Sequence, residues 1–141
     1  MKTILASILM AILIMSCKPN TETNIPVANE KAEISELNFI HTVFFWLKED
    51  VTDDQRKLFE SGMNNLGKVS TIGKYYIATP ADTDREVIDN SYDYAWIVHF
   101  KDVVDQASYQ SDSLHLEFID KYNALWEKVM VYDSEVTEQS E

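Results

Sequence analysis

The 141-residue chain has few of the residues that most functional sites are built from: one cysteine, three glycines, three prolines and three histidines. A single cysteine, Cys17, allows no internal disulfide and no thiolate metal cluster. Three glycines leave no Gly-rich phosphate loop and no Gly-x-Ser-x-Gly turn. The histidines, His41, His99 and His115, are scattered, with no His-x-x-His or His-Glu-x-x-His spacing. Neither a metal nor another cofactor is expected. The acidic stretches Glu49 to Asp54 and Asp82 to Asp89 read as solvated loops, without the order of a calcium-binding loop. Basic residues are also scarce, 12 Lys and Arg against 24 Asp and Glu, for a formal charge of −12. Nucleic acids and anionic surfaces require clustered Lys and Arg, so no nucleic-acid partner is expected, and the acidity reads as serving solubility.

Long apolar runs are missing too. Ile4 to Met15, broken only by Ser7, is 12 residues long, short of the roughly 20 that span a bilayer as a helix. With Lys2 before it, this run reads as the core of a signal peptide occupying residues 1–16. It ends in Ile14-Met15-Ser16-Cys17, which resembles a bacterial lipobox and implies lipidation of Cys17. Stable anchoring takes about two acyl chains, and a diacylated, N-acylated cysteine carries more than that. The expected location is therefore the bacterial cell envelope, with the chain held to the membrane through Cys17. Lys18, where an Asp would favour inner-membrane retention, points towards the outer membrane or periplasmic face. Residues 17–36, with Pro19, Pro26 and no apolar period, read as a flexible tether.

The folded part is expected over residues 37–133, followed by a polar tail at 134–141. Phe39 to Leu47 is aromatic and β-branched, a strand with two apolar faces. Thr52 and Gln55 form a capping-box signal, with Leu58, Phe59, Met63 and Leu66 as the buried stripe and Gly67 as the stop. A second strand lies near Lys74 to Ala78, and a charged loop runs from Pro80 to Asn90. Tyr92 to Phe100 alternates as a third strand, placing Tyr92, Tyr94 and Trp96 together. A short helix at Val103 to Gln110 is broken at Ser111-Asp112-Ser113. The next helix carries Leu114, Phe118, Tyr122, Leu125 and Trp126, and Val129 to Tyr132 closes as a short strand.

The order is β-α-β-β-α-β, the split ferredoxin-like α+β arrangement: a four-stranded antiparallel sheet with helices on one face. The other face keeps aromatic side chains such as Phe44 and Trp46. A bare apolar sheet is a liability for a small domain, and pairing two sheets as a homodimer would cover it.

Four segments carry a family resemblance: His41 to Lys48, Ser91 to Phe100, Tyr109 with Leu114 to Phe118, and Trp126 to Asp133. Together they resemble the stress-responsive A/B barrel domain (Dabb) family. The resemblance implies a dimeric α/β barrel made of two ferredoxin-like units with their sheets facing. It does not imply one activity. A plant polyketide cyclase in the family closes a ring by aldol condensation, and its tyrosine–histidine pair falls on Tyr109 and His115. A pocket histidine matches His41, and another falls on Tyr94. The family's usual His-Pro is replaced here by Asp112-Ser113.

From the residues themselves, His115 would lie in the first turn of a helix capped by Asp112 or Ser113. The positive helix end disfavours imidazolium and keeps the ring able to accept a proton. Phe118 and Tyr122 share its face as pocket wall. The break between the two helices is what would let Tyr109 and His115 converge, with the phenol donating to a carbonyl or enolate oxygen. The expected function is binding of a small hydrophobic molecule by a lipid-anchored homodimer. The alternatives are a cyclase- or lyase-like enzyme with His115 as general base and Tyr109 as its partner, or a purely structural barrel.

Overall fold

A computed structural model describes residues 37–138. The leader 1–16, Cys17, the tether to residue 36 and the last residues, 139–141, lie outside the described residues. Strand β1 (Phe39–Leu47) is followed by helix α1 (Asp53–Leu66), strands β2 (Ile72–Ala78) and β3 (Tyr94–Phe100), helices α2 (Val103–Gln110) and α3 (Ser113–Tyr122), and strand β4 (Trp126–Glu135). The sheet is antiparallel throughout, in the order β2-β3-β1-β4. This is the ferredoxin-like α+β fold, with β1 and β3 as inner strands.

The alternation in β1 decides the two faces. Phe39, His41, Val43, Phe45 and Leu47 are buried, while Ile40, Thr42, Phe44 and Trp46 are only partly covered. Opposite-pointing side chains along a strand produce this period of two. The first set packs beneath the helices with Trp96, Val98 and Phe100 of β3 and Phe59 and Met63 of α1. Phe59 is the hub of that core, in ring contact with Phe45, Tyr94, Phe118, Tyr122 and Trp126.

Helix α1 starts on a complete capping box, in which the Thr52 hydroxyl accepts from Gln55 N and the Gln55 side chain accepts from Thr52 N. Its buried stripe is Phe59, Gly62, Met63 and Leu66. Leu58, expected in that stripe, is 58 % exposed. Gly62 takes its place because Tyr122 of α3 lies against the backbone there. A Cβ at Gly62 would sit 2.3 Å from the Tyr122 ring. Gly67 does cap the helix, but at φ −61°, outside the left-handed region. It is the Tyr75 ring, 2.3 Å from where a Cβ would be, that requires glycine.

Three further elements depart from the sequence expectation. Strand β3 begins at Tyr94, not Tyr92, and the Tyr92 ring packs 4.8 Å from Phe44 on the helix-free face, away from Tyr94 and Trp96. Asp93 makes the crossing: its N–H donates to Phe45 O, and its carboxylate accepts from Leu47 N and Arg56 Nη1. Helix α3 ends at Tyr122, so Leu125 and Trp126 are not helical. The Leu125 carbonyl accepts from Lys48 N, which ties the chain to the end of β1 and starts β4 at once. Strand β4 is therefore longer than the expected Val129 to Tyr132, pairing with β1 from Trp126 opposite Leu47 to Glu135 opposite Phe39. Its polar end, Asp133-Ser134-Glu135, forms a strand through that pairing and not through propensity.

Candidate functional site

On the helix side, the sheet is covered unevenly. β4 is an edge strand, and Val129 and Val131 remain partly open beneath α3. The gap is a cavity of about 250 Å³ between α2, α3 and the β1–β4 half of the sheet. Phe45, Phe118, Trp126, Val129 and Val131 form its apolar wall, and His41, Tyr109, His115 and Asp133 form its polar end.

His41 and Asp133 meet because β1 and β4 pair them directly across the ladder. Residues opposite each other on neighbouring strands point to the same face. The His41 Nδ1 lies 2.6 Å from Asp133 Oδ1. A carboxylate can only accept, so Nδ1 carries the proton and donates. His41 is 4 % exposed, and this bond satisfies a nitrogen that would otherwise be buried alone.

Tyr109 and His115 meet across the break between the helices. Asp112 caps α3 by accepting from Leu114 N, and the chain turns sharply enough to bring the two rings to 4.6 Å between centroids. His115 also closes the end of α2. Its Nδ1 donates to the Gln110 carbonyl at 3.1 Å, one of the acceptors that a helix C-terminus leaves without an intrahelical partner. Burial holds the His115 pKa below the ordinary histidine value, with nearby His41 acting in the same direction, against the Gln110 bond and Asp112. The direction expected from the helix end is therefore present, with burial as its first cause. Tyr109 is 1 % exposed, and burial raises its pKa, so the phenol stays protonated. Its oxygen accepts from Trp96 Nε1 at 3.2 Å. The Tyr109 ring also meets His41 edge-on at 5.9 Å.

Of the residues singled out from sequence, His41, Tyr109, His115 and Phe118 line this one cavity. Tyr94 and Tyr122, expected as ligand-binding residues, are not in its lining. The Tyr94 hydroxyl donates to Glu60 Oε1 at 2.6 Å, at the α1 junction. Burial and Glu60 push its pKa up to about 12. Tyr122 instead lines a hydrophilic groove of about 320 Å³ between α1 and α3, with Asn64, Lys68 and Lys121. That groove is larger but contains no histidine. His99 lies on the helix-free face, edge-on to Tyr76. Among the described residues, no three His, Cys, Asp or Glu side chains are grouped to hold a metal.

Sequence reasoning missed Asp133 and Trp96 among the polar groups of the site, and read Phe45, Trp126, Val129 and Val131 of its wall only as strand or helix residues. The signal for Asp133 was the β1–β4 register, which becomes readable only if the final strand is extended to the end of the Tyr-Asp pair. Trp96 gave no signal, since an aromatic residue in a central strand reads as core.

A ferredoxin-like domain with an apolar cavity ending in two histidines, a tyrosine and an aspartate defines a class of small α+β proteins with a polar-ended pocket. The chain belongs to the stress-responsive A/B barrel domain (Dabb) family, whose model matches residues 39–136. A crystal structure of an Arabidopsis thaliana protein superimposes with a TM-score of 0.62 at 20 % identity, covering 72 % of this chain and 98 % of that one. A hydroxynitrile lyase from Passiflora edulis gives 0.62 at 20 %, covering 75 % and 99 %. A dimeric ferredoxin-like protein of unknown function from Thermobifida fusca gives 0.59 at 15 %, covering 71 % and 92 %. At these identities the likeness is one of fold. The sequence has no significant match among curated proteins.

Proposed function

We propose that this chain binds a small hydrophobic molecule in the cavity beneath α2 and α3, and that it works as a homodimer on a lipid anchor. The carrying observation is the cavity itself: about 250 Å³ with an apolar wall and His41, Tyr109, His115 and Asp133 at one end. Apolar pockets with a few convergent polar groups are the usual form of small-molecule sites. For comparison, a dry cavity of about 150 Å³ takes benzene.

A second reading, a cyclase- or lyase-like enzyme, is favoured by the ring contact of Tyr109 with His115 and by the neutral state that burial gives His115. A base that is neutral near physiological pH and a protonated phenol beside it suit proton abstraction next to a carbonyl. The hydroxynitrile lyase of like fold fits this reading by analogy alone.

One titration separates the two. An alkylbenzene and a short-chain β-keto thioester are added to the full chain, with Trp96 and Trp126 fluorescence and thioester turnover both recorded. Saturable quenching without turnover is the expected result. Turnover lost in His115→Ala would establish the enzyme instead, and turnover that survives this change would remove His115 as the base. No saturable response to either compound would overturn both readings.

The location rests on Ile14-Met15-Ser16-Cys17. In a bacterial host, the wild-type chain is expected in the membrane fraction and Cys17→Ala in the soluble envelope fraction. A Cys17→Ala chain that stays with the membrane would end the lipid-anchor proposal.

A further inference from the structure

His41 and His115 lie on the helix side of the sheet, and His99 alone of the histidines lies on the helix-free face. It sits on β3, an inner strand, so a second sheet laid on this face covers it. Ile40 of β1 is directly opposite on one side and Lys74 of β2 on the other. The Tyr76 ring stands edge-on to His99 at 6.0 Å, and Lys74 Nζ lies 5.1 Å from the centre of that same ring. Beyond Ile40, β4 contributes Ser134. Lys101 follows two residues on from His99. The other ionisable groups that register and ring contacts place on this face are Tyr92, Tyr132 and Lys128, the last over Trp46. Among the described residues so placed, the one carboxylate is Asp89, at the far end beside Trp46, where it accepts from Ser91. The immediate surroundings of His99 are therefore apolar, aromatic and basic.

We infer that the homodimer is proton-gated through His99: two chains stay joined while its imidazole is neutral and separate when it takes a proton. This rests on the homodimer reading above and adds the regulation of that assembly. In the single chain His99 is already half-buried. Burial holds its pKa below the ordinary histidine value, and Lys74 acts in the same direction. A two-fold interface presents each copy with the same groups it carries itself. The partner thus takes further water from the ring and adds more positive charge, and both disfavour imidazolium. The joined state then holds the His99 proton more weakly than the separate chains do. By linkage, association has its full strength above the His99 pKa of the separate chain and is lost as the pH falls through it. The rest of the chain works in the opposite sense. With 24 Asp and Glu against 12 Lys and Arg, two copies repel each other, and protonating carboxylates relieves that repulsion. Without the histidine, mild acid tightens the dimer; with it, mild acid loosens the dimer.

The test is sedimentation of the full chain at constant ionic strength, for the wild type, His99→Gln and His99→Leu. Between about pH 7.5 and about pH 5, on either side of the ordinary histidine value, the wild-type dissociation constant is expected to rise by about tenfold or more. Both variants are neutral throughout this range, and their dissociation constants should stay level or fall. Either variant alone suffices if the other does not fold. A wild-type dimer equally tight or tighter at the lower pH would overturn the inference while leaving the homodimer reading intact. Weakening of the same size in a folded variant would also overturn it, since the proton would then act elsewhere. A wild type that is monomeric at pH 7.5 and micromolar concentration would overturn the homodimer reading and this inference together.

Discussion

Phe59→Ala is expected to lower the stability of the domain by about 3–5 kcal/mol, whereas Leu58→Ala, one residue away, changes it by no more than about 0.5 kcal/mol. Phe59 is fully buried and touches rings from β1, β3, α3 and β4, so its loss leaves a hole that no single element can collapse into. Leu58 is 58 % exposed and lies outside the core. For a domain of about 100 residues, each kcal/mol is worth about 4–8 °C in Tm, so the first variant should melt more than about 10 °C below wild type and the second within a few degrees. Urea melts check that the slope is unchanged, which would place the effect in the folded state. Similar losses in both variants would contradict the packing described here.

That neighbouring pair also shows how much of the fold the sequence carries. The stripe Phe59, Met63 and Leu66 follows from helical periodicity, and the start of α1 follows from Thr52 and Gln55. Leu58 versus Gly62 does not follow, because the choice depends on the Tyr122 ring approaching from another helix. Strand β1 is legible from its composition and both of its faces. The offset of Tyr92 from Tyr94 is not, since a strict period of two carries across Asp93 on paper. In the structure the chain crosses to the other face there, under the pull of Leu47 N and Arg56 on the Asp93 carboxylate. The site divides in the same way. Tyr109 and His115 were placed by a local signal, the Ser111–Ser113 break. Asp133 needed the long-range register of β4 on β1, and the failure of Tyr94 to reach the cavity is settled by its bond to Glu60. Local capping and alternation are written in short windows of sequence, whereas partners far apart in the chain are chosen by packing.

Phe44→Glu is expected to convert the proposed dimer into a monomer. Phe44 sits on an inner strand, opposite Ala95 of β3 and Met130 of β4, near the middle of the helix-free face. Tyr92 and Tyr132 stand edge-on to it at 4.8 and 6.1 Å, and Trp46 lies two residues on beneath Lys128 Nζ. With Tyr76 and Tyr132 also exposed, this face presents an aromatic surface with no helix over it. A stable interface covers about 800 Å² on each partner, which is on the scale of one face of a four-stranded sheet. A two-fold axis through such a face brings equivalent positions near one another. A glutamate at Phe44 in each copy then places two like charges in a space that excludes water, a cost of several kcal/mol. Sedimentation of the wild-type full chain at micromolar concentration should give a dimer, and Phe44→Glu should raise the dissociation constant by at least about a hundredfold. Val87→Glu, at a loop position 87 % exposed, should leave the dimer intact. A monomeric wild type, or a dimeric Phe44→Glu, would remove the assembly proposal. The cavity lies on the opposite side of the sheet, under α2 and α3, so a monomeric Phe44→Glu that still binds the alkylbenzene would show that binding belongs to each chain and that the dimer serves the exposed sheet.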